Sequence, residues 1–206
     1  MTAIKVKKYN LPDSYLFENN ADTPLVKVWI PDETCIVLGR SNHPLDSLFI
    51  EKVIEDRIPV YKRPSGGETV LLSNKMLVLS ISARQTALKS GKSYFEKYNA
   101  KVISVLKNLG IDELGFKGIS DIVINNMKIL GSAVYQNKDI VFYHAVINVS
   151  ESISLISKYL KHPMREPDYR IGRDHKEFVT SLDQEKYDVN MLDLKKRIEK
   201  EFQINK

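Results

Sequence analysis

The length of its apolar runs constrains this chain most: none exceeds four residues, as at Cys35-Ile36-Val37-Leu38 and Ile140-Val141-Phe142-Tyr143. A membrane-spanning helix needs about 20 apolar residues, so no span is expected. The stretch from Met1 to Tyr15 carries lysines but no apolar centre, so no secretory leader is expected either. Many short apolar runs mean many short strands, broken by a few segments of helical period. With 206 residues and 43% hydrophobic residues, a folded core in one domain, 1–206, is expected rather than disorder.

Residues 25–30 and 35–39 read as two strands around Pro31-Asp32-Glu33. Residues 46–56 read as a helix opened by Asp46, and 58–62 as a strand that runs into Pro64-Ser65-Gly66-Gly67. Thr69–Ser73 and Met76–Ala83 read as a hairpin through Ser73-Asn74-Lys75, with its second strand buried on both faces. The clearest helix is 92–109, with Phe95, Tyr98, Val102, Val105, Leu106 and Leu109 on one face and Gly110 as its stop. A hairpin follows over 121–135 around Asn125-Asn126, then a strand at 140–149 and a helix at 191–202. Hairpins and separate helices together predict an α+β fold with a mixed, largely antiparallel sheet and flanking helices.

Several chemistries are excluded by what the chain lacks. One cysteine, Cys35, rules out an internal disulfide and a thiolate-rich zinc site, and it suits a reducing, cytoplasmic setting. The four histidines are dispersed, with no helical i, i+4 pair. No Gly-x-Ser-x-Gly elbow is present. Ser90-Gly91-Lys92-Ser93 resembles the end of a nucleotide P-loop, but Thr86 stands where that loop needs glycine, so a helix start is the better reading. The net charge of +5 is scattered, without the basic stripe interleaved with aromatics that nucleic acid requires.

Two segments retain chemical interest. In Arg63-Pro64-Ser65-Gly66-Gly67 the glycines permit close backbone approach to an anion, and the arginine supplies a cationic fork; an ordinary glycine turn reads the same way. In Lys128-Ile129-Leu130-Gly131-Ser132-Ala133 small residues follow a lysine and leave room for a ligand beside its ammonium; taken alone, it reads first as an exposed hairpin lysine, and the pairing with the glycine loop is what favours the ligand.

Together with Val37-Leu38-Gly39-Arg40-Ser41-Asn42 and Gly118-Ile119-Ser120-Asp121-Ile122, these segments occur in the order seen in the lipoate–protein ligase family, which the chain resembles over roughly 25 to 182. The resemblance extends to the superfamily of biotin and lipoate ligases and octanoyltransferases, whose fold is related to the class II aminoacyl-tRNA synthetase core. It implies a two-step reaction. Lipoate is activated by ATP to lipoyl-adenylate, and a lysine of an acceptor lipoyl domain then takes the acyl group. By the resemblance, Lys128 is the catalytic lysine. Arg63, Ser65, Gly66, Gly67, Glu68, Thr69, Val70, Leu71, Asp121 and Lys128 hold ATP and the adenylate. Arg40, Gly67, Lys128, Gly131, Ser132, Ala133 and His144 hold lipoate. Mg²⁺ is expected on the ATP phosphates, with Asp121 in a metal or ribose role. The implied acceptors are 2-oxoacid dehydrogenase E2 subunits, the glycine-cleavage H protein or a related lipoyl carrier.

The chain also departs from the family. Glu68 stands where a third glycine is common, bringing a negative charge that would repel the nucleotide, hold Mg²⁺ or pair with an arginine. The N-terminal helix is reduced to Leu11–Asn20, with Pro12 inside it. The accessory C-terminal domain of many such ligases is not expected here; either a separate small subunit supplies it or the activity works without it. A Cys-dependent octanoyl- or lipoyl-transferase, a biotin ligase and a non-catalytic acyl-binding module are the competing readings. Cys35 lies in a predicted strand, away from the transferases' cysteine segments. The charge-dense segment Glu166–His175 reads as a solvated loop, a lid or a docking surface.

Overall fold

The computed structural model describes residues 4–18, 22–85 and 90–203. Its strands are β1 (Val6–Lys8), β2 (Leu25–Trp29), β3 (Cys35–Leu38), β4 (Val60–Lys62), β5 (Val70–Leu72), β6 (Met76–Arg84), β7 (Leu114–Lys117), β8 (Asp121–Ile124), β9 (Met127–Gln136) and β10 (Ile140–Asn148). The helices are α1 (Pro44–Ser47), α2 (Ile50–Glu55), α3 (Gly91–Lys107), α4 (Ile153–Tyr159), α5 (His175–Phe178) and α6 (Met191–Gln203). Short 3-10 turns occupy Ser14–Glu18 and Asp168–Arg170.

Six strands, in the order β2-β6-β10-β9-β8-β7, form an antiparallel sheet, and β1-β4-β3-β5 form a smaller mixed one with β4 parallel to both neighbours. The expected α+β class, with a largely antiparallel sheet and flanking helices, is what is found. Strand alternation sorts the large sheet's two faces. Leu77, Leu79 and Ile81 of β6, with Tyr143 and Ile147 of β10, share a core with Tyr98, Val102 and Leu106 of α3 and Leu194 and Ile198 of α6. The alternate residues of the same strands, Met76 and Val78 with Val146, join the clusters of the smaller sheet. Strand β6 is therefore covered on both faces, as its unbroken apolar run predicts.

The hairpin expected over 69–83 does not form. β5 pairs with β3, whereas β6 lies between β2 and β10, so Ser73-Asn74-Lys75 passes from one sheet to the other instead of closing a hairpin. The crossing is a buried one: Ser73 is buried and donates to the buried Glu151 carboxylate at 2.6 Å. Likewise Pro31-Asp32-Glu33 joins strands of different sheets. The helix expected over 46–56 divides at Leu48, which is extended, fully buried and bridged to Leu160. Asp46 lies inside α1, and the cap position belongs to His43 ahead of Pro44.

Other expectations hold. α3 starts at Gly91 behind Ser90, and Gly110 closes its end at φ +83°. Thr86, which decided against a P-loop, lies outside the described residues, as do positions 19 and 20 of the shortened N-terminal helix. Asn125 and Asn126 both take positive φ in the β8–β9 turn, as a tight hairpin requires. β1, β7 and α5 are too short to show a period and are not among the expected elements; α4 is a further addition, although its buried Ile153, Ile156 and Tyr159 fall at helical spacing behind the Ser152 cap. None of the described helices is long and apolar enough to cross a membrane.

Candidate active site

Between the two sheets lies a cavity of about 220 Å³. Val37, Leu71, Met76, Val78, Val146 and Ile156 make part of its wall apolar, and Glu68, Lys128, Arg165, Arg170 and His175 are among its charged and titratable groups. The segment from Pro163 to Val179 contributes a wall of its own. One space is thus suited both to an alkyl chain and to an anion.

The loop after β4 is built on Arg63, which is only 3% exposed. Its Nε and Nη2 donate to the Gly66 carbonyl at 3.2 and 2.8 Å, Nη2 also to that of Glu68 at 2.8 Å, and Nη1 to that of Val37 at 3.2 Å. Burial lowers this guanidinium to about 10, so it stays charged near neutral pH. The fork expected to hold phosphates is thus largely committed to carbonyls of its own loop. Gly67 sits at φ +87°, and a Cβ on Gly39 would lie 1.9 Å from the Gly67 carbonyl oxygen, so both glycines are dictated by the close passage of two backbones. Beneath the loop, the fully buried Ser65 hydroxyl shares a 3.0 Å hydrogen bond with His144 Nε2. Burial, and next the Arg63 charge, hold that imidazole well below its usual range, so it is neutral.

Lys128 owes its position to a bulge. The register of β8 on β9 slips between Ile122 and Val123, leaving Ile129 without a partner. Without the slip, Lys128 and Gly131 would face opposite sides of the sheet. With it, the lysine lies over Gly131: a Cβ there would be 2.6 Å from Cε and 2.7 Å from Nζ. Nζ pairs with Asp121 Oδ1 at 2.9 Å. Asp121, 3% exposed, also accepts from Ser120 Oγ at 3.1 Å and from the Tyr169 hydroxyl at 2.8 Å. Burial and the Asp121 charge raise the Tyr169 phenol, which remains a donor. Gly131→Ala is therefore expected to push the ammonium off its mark. Since the clash is with a flexible side-chain end, the stability change should be below about 1 kcal/mol while activity falls on the order of 100-fold. Thermal melts paired with turnover check this.

Of the residues singled out from sequence, Arg63, Gly67, Glu68, Thr69, Val70, Leu71, Lys128, Gly131, Ser132, Ala133 and His144 line the cavity. Ser65 and Gly66 stand behind the loop, and Asp121 behind Lys128. Arg40 is exposed and outside the wall; only its backbone N–H engages the site, donating to the Ser65 carbonyl. Cys35, 2% exposed and packed with Trp29 and Tyr61, is outside the cavity wall, and burial raises its thiol to about 12. Sequence reasoning missed Tyr9, Arg165, Arg170 and His175 in the wall. For Arg170 and His175 the charge density of the Glu166–His175 segment was the available signal, and it did not show which charges turn inward; Tyr9 and Arg165 lie outside that segment. Arg170 is 4% exposed, and its Nη2, like the buried Thr69 Oγ1, has no hydrogen-bond partner among the described residues.

No group of three or more His, Cys, Asp or Glu able to hold a metal occurs among the described residues. Asp121, the expected metal candidate, is already met by Lys128, Ser120 and Tyr169. These residues do not make a cation site by themselves.

Residues 11–203 match the family described as lipoyl protein ligase A/B catalytic domain. Lipoate-protein ligase A of Psychrobacter cryohalolentis is 31% identical over 150 residues, 71% of this chain and 41% of that protein. Lipoate-protein ligase LplJ of Bacillus subtilis is 28% identical over 132 residues, 63% of this chain and 38% of that protein. The chain thus spans about two fifths of the length of these curated relatives. Among solved structures, a bi-partite lipoate protein ligase from Thermoplasma acidophilum superposes with a TM-score of 0.79 at 19% identity, over 93% of this chain and 75% of that one. A lipoate-protein ligase A bound with ATP gives 0.78 at 18% identity, over 98% and 83%. At such identities these structures establish the fold. With the match running through nearly the whole described chain, the protein belongs to the lipoyl protein ligase A/B catalytic-domain family.

Proposed function

We propose that this chain is a lipoate–protein ligase that forms lipoyl-adenylate from lipoate and ATP and passes the lipoyl group to a lysine of an acceptor lipoyl domain. The observation that carries this reading is Lys128, an ammonium in the wall of one cavity with both apolar sides and further cations. The lipoate carboxylate must attack the α-phosphate, and two anions repel. An ammonium between them offsets that repulsion most where charge accumulates in the transition state. The alkyl part and dithiolane of lipoate would occupy the apolar region. Arg165 and Arg170 would meet phosphate oxygens, the buried unpartnered Nη2 of Arg170 being ready to donate. Arg63 would act by holding the loop. The relatives' names, and a structural relative bound with ATP, support both substrates.

Magnesium would arrive with the nucleotide phosphates. Acceptors would be lipoyl domains of E2 subunits, for which a structural relative described with its E2 lipoyl domain is the support, or the H protein or a related carrier. We further propose that residues 1–206 act as one catalytic domain in the cytoplasm, helped by a separate small subunit; one structural relative is itself bi-partite.

The family also admits acyl transfer without ATP through a cysteine thioester. A buried thiol raised to about 12 and lying outside the cavity wall is a poor nucleophile. Cys35→Ser should leave ligation within about twofold of the parent; abolished acyl transfer in a protein that still folds would favour a covalent intermediate. The decisive test is mass spectrometry of an acceptor lipoyl domain incubated with the protein, lipoate and ATP-Mg²⁺, and separately with octanoyl-carrier protein and no ATP. ATP-dependent lipoylation is expected. Transfer from the carrier without ATP overturns the ligase reading.

A further inference from the structure

The second half of that reaction needs a base. The acceptor lysine arrives as an ammonium, its ordinary value being about 10.4, and only the free amine attacks a carbonyl. Among the described residues, Glu68 is the one carboxylate in the cavity wall. His144 is tied to Ser65, and His175, lowered to about 4 chiefly by burial and then by Arg170, is no stronger a base than an ordinary carboxylate. Asp121 already receives three donors.

Resting on the proposed ligase function, we infer that Glu68 is a catalytic residue of the transfer step, accepting a proton from the acceptor lysine. Its backbone carbonyl is fixed by Arg63 Nη2 at 2.8 Å, and its Oε2 accepts from Asn42 Nδ2 at 3.3 Å, so among the described residues the carboxylate is held in place by one neutral donor. Glu68 and His175 also line a smaller recess of about 20 Å³ whose wall includes the exposed Met164 and Asp46. The carboxylate thus stands on the wall shared by the cavity and a recess that reaches the surface, where an incoming amine and the bound adenylate would meet. Burial raises Glu68, while Asn42, Arg165, Arg63 and Lys128 hold that rise back. A raised carboxylate is a better base.

In the step, the ammonium gives one proton to Glu68 and the nitrogen lone pair forms the C–N bond. The carbonyl carbon–phosphate oxygen bond breaks, with its electron pair leaving on AMP. The nitrogen's second proton passes to the departing phosphate, and Glu68 later returns its own proton to solvent.

The test follows both half-reactions with the full chain: pyrophosphate release from lipoate and ATP-Mg²⁺, and single-turnover transfer from supplied lipoyl-adenylate to an acceptor lipoyl domain. In Glu68→Gln the ratio of transfer to adenylate formation should fall about 100-fold at pH 7, the usual worth of a positioned base. In the parent, transfer should rise with pH as the Glu68 carboxyl loses its proton and then level off. In Glu68→Gln it should keep rising about tenfold per pH unit, following the free amine. Glu68→Asp should recover part of the loss and the levelling. An unchanged ratio, or equal loss of both half-reactions, overturns the inference, the latter meaning that Glu68 positions the nucleotide. A parent protein that transfers supplied adenylate without making it fails the ligase reading alone; one that does neither fails both.

Discussion

Lys128→Ala is expected to abolish lipoyl-adenylate formation in a protein that still folds. The side chain is 29% exposed, so little packing is lost. Its removal leaves the buried Asp121 carboxylate with Ser120 and Tyr169 as donors, which limits the cost to about 1–3 kcal/mol, the range for losing a charged hydrogen bond. The chemical loss is much larger. A preorganised donor aimed at developing charge is worth about 10²–10³ in rate, and here the same ammonium must also bring two anions together. Pyrophosphate release should fall by about 10³-fold or more, with lipoate binding weakened less. A variant that releases pyrophosphate at the parent rate would remove the basis of the assignment.

Arg63→Met should produce the largest loss of stability. Methionine fills much of the volume but supplies no donor to the carbonyls of Val37, Gly66 and Glu68. Each buried acceptor left unmet costs about 1–3 kcal/mol, offset in part because the isolated cation no longer has to be buried. A net loss of about 3–5 kcal/mol is expected, equal to a fall of about 10 °C or more in the melting midpoint for a chain of this size. Activity should fall too, because the loop that carries Gly66, Gly67 and Glu68 loses its anchor with the arginine. Urea titration and thermal melts check the first part. A loss below about 1 kcal/mol would mean that the arginine does not brace the loop.

The residue order Arg63-x-Ser65-Gly66-Gly67, then Lys128 before Gly131-Ser132-Ala133, made most of the site legible in the sequence, because close backbone approach and an ammonium in a crevice each admit few residue types. What these residues do individually was less legible. Arg63 bears the right charge for phosphate, but its reach is spent on three carbonyls that only folding places around it. Arg40 sits in a matching motif and still ends outside the cavity. Arg165 and Arg170 lie in a charge-rich loop whose inward and outward residues carry no periodic mark.

Short-range pattern determined the α+β class, the span of α3, the β8–β9 hairpin turn and the two-sided burial of β6, since each follows from the spacing of apolar side chains or from turn residues within a few positions. Tertiary structure alone decided which strands share a sheet, where the β9 bulge turns Lys128 beside Gly131, and how Glu68 meets the cavity. Alternation tells a strand which of its residues are buried but not against which partner. The cavity lies between the two sheets that Ser73-Asn74-Lys75 joins, and the crossing is held in part by the buried contact of Ser73 with Glu151, 78 residues away.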